Sequence, residues 1–201
     1  MKFLKYYYYR TQHLRMDILV DCSTINKRNQ NILMLVAHPD DETLFGFYDL
    51  INSNCTVICF TNKDNIVRSR NFEEVMYTTQ QTGIMFGNRD SMKDRWKYVS
   101  NNDFIEQILP LLNKKYDMIV SHNSDGEYGH TQHKRVHSIA VSLSSKLEIP
   151  YKSFLERFDT AFHINNTKLL EDLMKIYESE KVSKRLFYNF LYKQAKSINK
   201  I

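Results

Sequence analysis

Residues 38–42, HPDDE, set an imidazole and three carboxylates directly behind the apolar run ILMLVA at 32–37. His38 and Asp41 stand three apart in a turn fixed by Pro39, so both can reach one divalent cation, while Asp40 points differently. A second cluster, GEYGHTQHKRVH at 126–137, carries His130, His133 and His137. Their i, i+3, i+7 spacing shares one face of a helix start. One more ligand from this face would complete a His–Asp–His set with an open position, the arrangement of a catalytic rather than a structural zinc. Gly126 and Gly129 let backbone come close to a ligand there.

A zinc ion lowers the pKa of a bound water to about 7. Asp40 can take that water's proton as general base. A histidine left off the metal, His130, can stabilise a developing oxyanion or protonate a leaving amine. These parts suffice to hydrolyse an amide. Either cluster alone is more often a helix cap or a polar surface turn. Two clusters with complementary ligand types, each behind an apolar run, point to a site. His137 reads as helix packing or support for a ligand, and His122 as part of the pocket wall. His13 and His163 read as ordinary surface or packing residues.

Several elements must position these residues. Continuous apolar runs predict buried strands at Asn31–Ala37, Cys55–Phe60 and Tyr116–Ser121. Helical spacing covers Glu42–Ser53, Ser69–Thr82 with Gly83 as its stop, Asp103–Asn113 despite Pro110, and His130–Lys146. Residues 1–30, 87–100 and 151–166 read as irregular, and 167–197 as one or two amphipathic helices. Strands alternating with helices predict an α/β fold with a mainly parallel sheet. Ligands then collect at the carboxyl ends of the strands, where both clusters fall.

The paired motifs AHPDDE and GHTQH resemble those of the LmbE-like, or GlcNAc-phosphatidylinositol de-N-acetylase (PIG-L), family, over about residues 31–145. The resemblance implies a Rossmann-like three-layer fold with C-terminal helices. It also implies a zinc-dependent deacetylase of N-acetylglucosamine-type sugars or their nucleotide- or lipid-linked conjugates. It makes His38, Asp41 and His133 the metal ligands, Asp40 the base, and His130 the oxyanion or acid histidine. Mixed N/O ligands favour zinc, though another first-row divalent metal fits the same set. The family's arginine position falls in VRSRNFEEVMYTTQQTG. Direct matching gives Arg68, with Arg70 in reserve, whereas counting back from Gly83 gives Asn71, with Glu74 as the glutamate. NRDS at 88–91 resembles a pocket loop and implies that Asp90 contacts sugar hydroxyls. YESE at 177–180 resembles a C-terminal Tyr-x-Ser-Gln element, with Glu180 in place of the glutamine.

The chain has 201 residues, 42% hydrophobic and 25% charged, which suits one globular domain over 1–201 with a helical extension at 151–201. The odd number of cysteines (Cys22, Cys55, Cys59) and the lack of a CxxC pair suit reduced thiols in a cytoplasmic protein. No apolar run has the roughly 20 residues needed to span a bilayer, so stable membrane insertion is not expected. A net charge of +5 suits an anionic partner, but the lysines are scattered. The basic–aromatic KYYYYR is one short patch without a continued stripe, so nucleic-acid binding is not expected. The rival to an enzyme is a catalytically silent sugar- or metal-binding module, which loss of Asp40 or His130 would mark; both are present.

Overall fold

The computed structural model describes residues 15–22, 29–92, 96, 98–112, 114–157, 161 and 165–177. His13, His163, Glu180, the KYYYYR patch and the part of the amphipathic segment beyond 177 lie outside the described residues. The strands are β1 (Met16–Val20), β2 (Asn31–Val36), β3 (Asn54–Thr61), β4 (Thr82–Asn88), β5 (Met118–Ser121) and β6 (Tyr151–Ser153). They form one sheet in the order β1-β4-β3-β2-β5-β6. Every neighbouring pair is parallel except β1 with β4. The helices are α1 (Asp41–Leu44), α2 (Phe47–Asn52), α3 (Ile66–Thr79), α4 (Asn101–Ile108), α5 (Thr131–Leu147), α6 (Phe154–Arg157) and α7 (Thr167–Ile176).

Side chains alternate across a strand, and β2 divides its apolar run between two cores. Ile32, Met34 and Val36 pack with Leu44, Phe47, Phe72 and Leu173 on one face, beneath α1–α3 and α7. Leu33, Leu35 and Ala37 pack with Phe104, Ile108, Val136 and Ile139 on the other, beneath α4 and α5. The result is a three-layer, Rossmann-like α/β fold with a mainly parallel sheet. The chain leaves β2 toward β3 and β4, then returns to lay β5 on the opposite side. The strand order reverses between the carboxyl ends of β2 and β5, where folds of this kind have their ligand crevice, and His38 and His122 follow their strands there.

Several elements differ from the sequence expectation. β1 is an edge strand, mostly exposed at Asp17 and Ile18, so it lacks the apolar run that marks a central strand. β4 was hidden by its two glycines. Gly83 lies inside β4 and does not stop a helix: a β-carbon there would sit 2.6 Å from Met76 Cγ and 2.8 Å from a Phe72 ring carbon of α3. The helix ends instead at Gln80, in the left-handed conformation (φ 58°, ψ 46°). It begins at Ile66 because the Asn65 side chain caps the amides of Val67 and Arg68. The expected helix over 42–53 is two short ones, and the bend between them sets Phe45 edge-on to His122 and His133. The Ser100–Asp103 capping box starts α4 at Asn101, and the last turn tightens to a 3-10 helix at Leu109–Leu111 around Pro110. Within 151–166, read as irregular, β6 pairs with β5, and α6 follows.

Candidate metal centre

The β2 end delivers His38, Asp40 and Asp41, and α5 with the turn before it delivers His130 and His133. All five are buried, with His133 fully enclosed. The expected ligands His38, Asp41 and His133 come together pairwise. His38 Nδ1 lies 3.3 Å from Asp41 Oδ2 and 3.2 Å from His133 Nε2, and His133 Nε2 lies 3.5 Å from Asp41 Oδ1. Among the described residues, two groups of three donor atoms within 4.8 Å of one another could hold an ion: His38, His130 and His133, and Asp41, His122 and His133. The expected trio takes two members from each.

Tautomers distinguish these donors. Gln132 Oε1 accepts from the Ser91 amide (3.2 Å), and Gln132 Nε2 donates to Arg89 O (2.8 Å). Its amide is therefore oriented, and Oε1, 2.8 Å from His38 Nε2, requires a hydrogen on that nitrogen. His38 Nδ1 faces His133 and Asp41; burial lowers the His38 pKa, but Asp41 and Asp90 outweigh it and raise it, so without a cation this nitrogen can donate to His133 Nε2 and with one it can ligate. His133 Nδ1 faces Glu127 Oε2 at 2.7 Å and donates to it, so its Nε2 lone pair faces the same point. His130 is different: its Nδ1 accepts the Gln132 amide at 3.2 Å as the cap of α5. That hydrogen bond places the His130 proton on Nε2. His122 Nε2 accepts the Ala37 amide at 3.0 Å, so that lone pair is also in use.

Electrostatics agree for most of these groups. Burial, then the neighbouring His122, pushes His133 down to about 4, and burial, then His38, does the same for His130. Burial raises Asp41, but His133 and His122 outweigh it and hold the carboxyl well below its usual range. Burial also opposes the charge on Glu127, yet His122 and His133 bring it down to about 2. For His122, burial is outweighed by Glu127 and Asp41, which pull it up to about 9. The Ala37 amide argues the other way, because an imidazolium has no lone pair to receive it. The strand end fixes that amide, and in either form the proton on His122 Nδ1 points at Glu127 Oε2, 2.9 Å away.

Arg68 is the arginine of α3 that reaches the cluster; Arg70 and Glu74 are exposed. Its guanidinium donates to Asp90 Oδ2 and to Pro39 O, both at 2.7 Å, and lies 3.7 Å from Asp40 Oδ1. Asp90 Oδ1 is 3.4 Å from His38 Nε2, which sets the 88–91 loop at the rim. His137 stays outside the cluster, with Nδ1 3.1 Å from His122 O and 2.8 Å from Tyr151 Oη.

No family model matches the chain. It is 28% identical to an uncharacterized protein of Acanthamoeba polyphaga mimivirus, over 82% of this chain and 78% of that one. Among solved structures it is similar to Dbv21, a deacetylase of the A40926 antimicrobial pseudoaglycone, at 15% identity and a TM-score of 0.48, spanning 62% of each chain.

Two residues escaped the sequence reading. Glu127 sits in a strained conformation (φ 53°, ψ −61°) between two glycines of positive φ, and one of its oxygens receives both His122 and His133. Gly126 permits this turn: a β-carbon there would stand 3.2 Å from His133 Cβ and 3.0 Å from Lys134 Cγ. Gln132 joins His38 to the 89–91 loop. Both lie inside the quoted histidine cluster. An acid beside a glycine there was the available signal for Glu127, whereas an uncharged amide between two histidines gave none. The three cysteines are free thiols. Among the described residues no helix is long and apolar enough to cross a membrane.

Proposed function

We propose that the protein is a metal-dependent N-deacetylase that hydrolyses the acetamide of an N-acetylglucosamine-type sugar, free or joined to a nucleotide or lipid. The observation that carries this reading is the convergence of two imidazole nitrogens, His38 Nδ1 and His133 Nε2, with the Asp41 carboxylate. Two nitrogens with one carboxylate suit a first-row divalent ion such as zinc. The motif resemblance at 37–42 and 126–137 supports the same ligand set.

The bound metal would supply Lewis acidity, activating water and polarising the acetamide carbonyl. Asp40 accepts the proton of the attacking water, whose oxygen bonds to the acetyl carbon. His130 donates its Nε2 hydrogen to the carbonyl oxygen as charge gathers there, a role that needs no protonated imidazole. The carbon–nitrogen bond breaks, and the proton held by Asp40 passes to the amine. Water and amide thereby become acetate and a free amine. Arg68 holds Pro39 and Asp90 at the rim, which supports a role for Arg68 and Asp90 in seating the sugar. His122, fully enclosed, stacks on His133 at 3.9 Å and shares Glu127 with it. The test is amine release from N-acetylated sugars in free, nucleotide-linked and lipid-linked forms, with protein loaded with one defined metal. Release that needs metal and is lost in Asp40→Asn is expected. No release from any N-acetylated sugar would overturn the reading.

A further inference from the structure

We propose that Tyr177, at the end of α7, is a positioning residue for Asp40 and acts through Glu42. This rests on the reading of Asp40 as the base. Asp40 has φ 122° and ψ −27°, a conformation that a residue with a β-carbon adopts only when its surroundings impose it. Glu42 supplies that constraint: its Oε2 accepts the Asp40 amide at 3.1 Å. The other oxygen, Oε1, accepts the Thr43 hydroxyl at 2.9 Å and the Tyr177 hydroxyl at 2.7 Å. Glu42, Thr43 and Tyr177 are all fully buried, so water does not substitute for a lost donor.

Thr43 is local to the motif and Tyr177 is not. It arrives from 135 positions away in sequence, on a helix that buries Leu170, Leu173 and Met174 in the core shared with Leu44, Phe45 and Phe47. The docking of α7 thus ends in one directed hydrogen bond to the carboxylate that holds the backbone of the base. Removing that bond frees Glu42 to rotate and lets Asp40 relax from its strained conformation. The C-terminal helix is then part of what aims the base.

Tyr177→Phe removes the hydroxyl and keeps the packed ring. In metal-loaded protein, kcat should fall on the order of 10-fold to 100-fold, the scale of a misaligned catalytic group, with KM and metal stoichiometry unchanged. In metal-free protein, the Asp40 amide resonance should shift and its hydrogen exchange quicken about tenfold or more, with strand amides unmoved. Glu42→Gln should cost at least as much, and Tyr177→Phe added to it should cost little further, because the two act in series. Unchanged Asp40 exchange in Tyr177→Phe would overturn the inference whether or not the protein proves to be a deacetylase. An additive double variant, or metal loss in Tyr177→Phe, would overturn it as well. Absence of deacetylation in the parent protein would count against the function proposed above, and the exchange measurement would still decide the role of Tyr177.

Discussion

Asp40 and His130 stand beside the cluster without belonging to the expected ligand set, so each should fail in turnover and leave metal binding intact. Asp40→Asn keeps size and much of the hydrogen bonding but cannot take a proton. The expected loss is roughly 10²–10⁴ in kcat, with metal content unchanged by elemental analysis; activity within a few-fold of the parent would contradict the role. His130→Ala removes a donor whose tautomer is set by the Gln132 amide. A contact made mainly in the transition state lowers kcat more than it raises KM. The expected fall in kcat is on the order of 10²–10³, read in steady-state kinetics beside metal titration. At this scale the sequence was most informative: five residues in two short stretches were legible because their chemistry is written in their types. Glu127 and Gln132 were not, because a supporting carboxylate or amide looks like any polar residue until the tautomer it fixes is known.

The turn Gly126–Gly129 and the start of α5 act as one element that aims imidazoles. Glu127 receives two Nδ1 hydrogens on one oxygen, which an ionised carboxylate does well and an amide does poorly. Glu127→Gln should therefore weaken metal affinity about 10–100-fold, the usual effect of losing an outer partner of a ligating histidine; competition with a metal chelator measures it. Metal affinity equal to the parent would contradict this role. The close contact of α3 and β4 makes a separate prediction. Gly83→Ala drives a β-carbon into Met76 and the Phe72 ring and should destabilise by about 1–3 kcal/mol, read as a lowered urea midpoint at constant slope. The same contact explains why β4 was illegible. Gly83 lets β4 pack closely on α3, yet in sequence it reads as a helix stop. β1 was illegible for the opposite reason: an exposed edge strand needs no apolar run. The central strands β2, β3 and β5 were legible because both faces are buried, and burial on both faces leaves an uninterrupted apolar signature.

At the scale of the whole molecule, the fold places two sequence-distant clusters on one crevice, between strands paired from Ile32–Met118 to Leu35–Ser121. A metal held there joins the ends of β2 and α5, so it should stabilise the native state. At 100 times its Kd a ligand adds about 2.7 kcal/mol, or roughly 5–10 °C in Tm for a chain of this size. A scanning-calorimetry shift in that range on adding zinc to metal-free protein is expected, and none is expected in His133→Ala. The mainly parallel sheet and the crevice followed from the alternation of strands and helices. The docking of α7 did not, because an amphipathic helix declares that it packs and leaves its partner unstated. The proposed role of His38, Asp41 and His133 is to hold the one ion on which deacetylation depends. Its most direct test is metal stoichiometry of untagged parent, His130→Ala and His133→Ala proteins, measured alongside amine release. One divalent ion per chain is expected in the parent and in His130→Ala, little or none in His133→Ala, and amine release from the parent should vanish with chelation and return with metal. Full metal occupancy in His133→Ala, or undiminished release from metal-free protein, would contradict it.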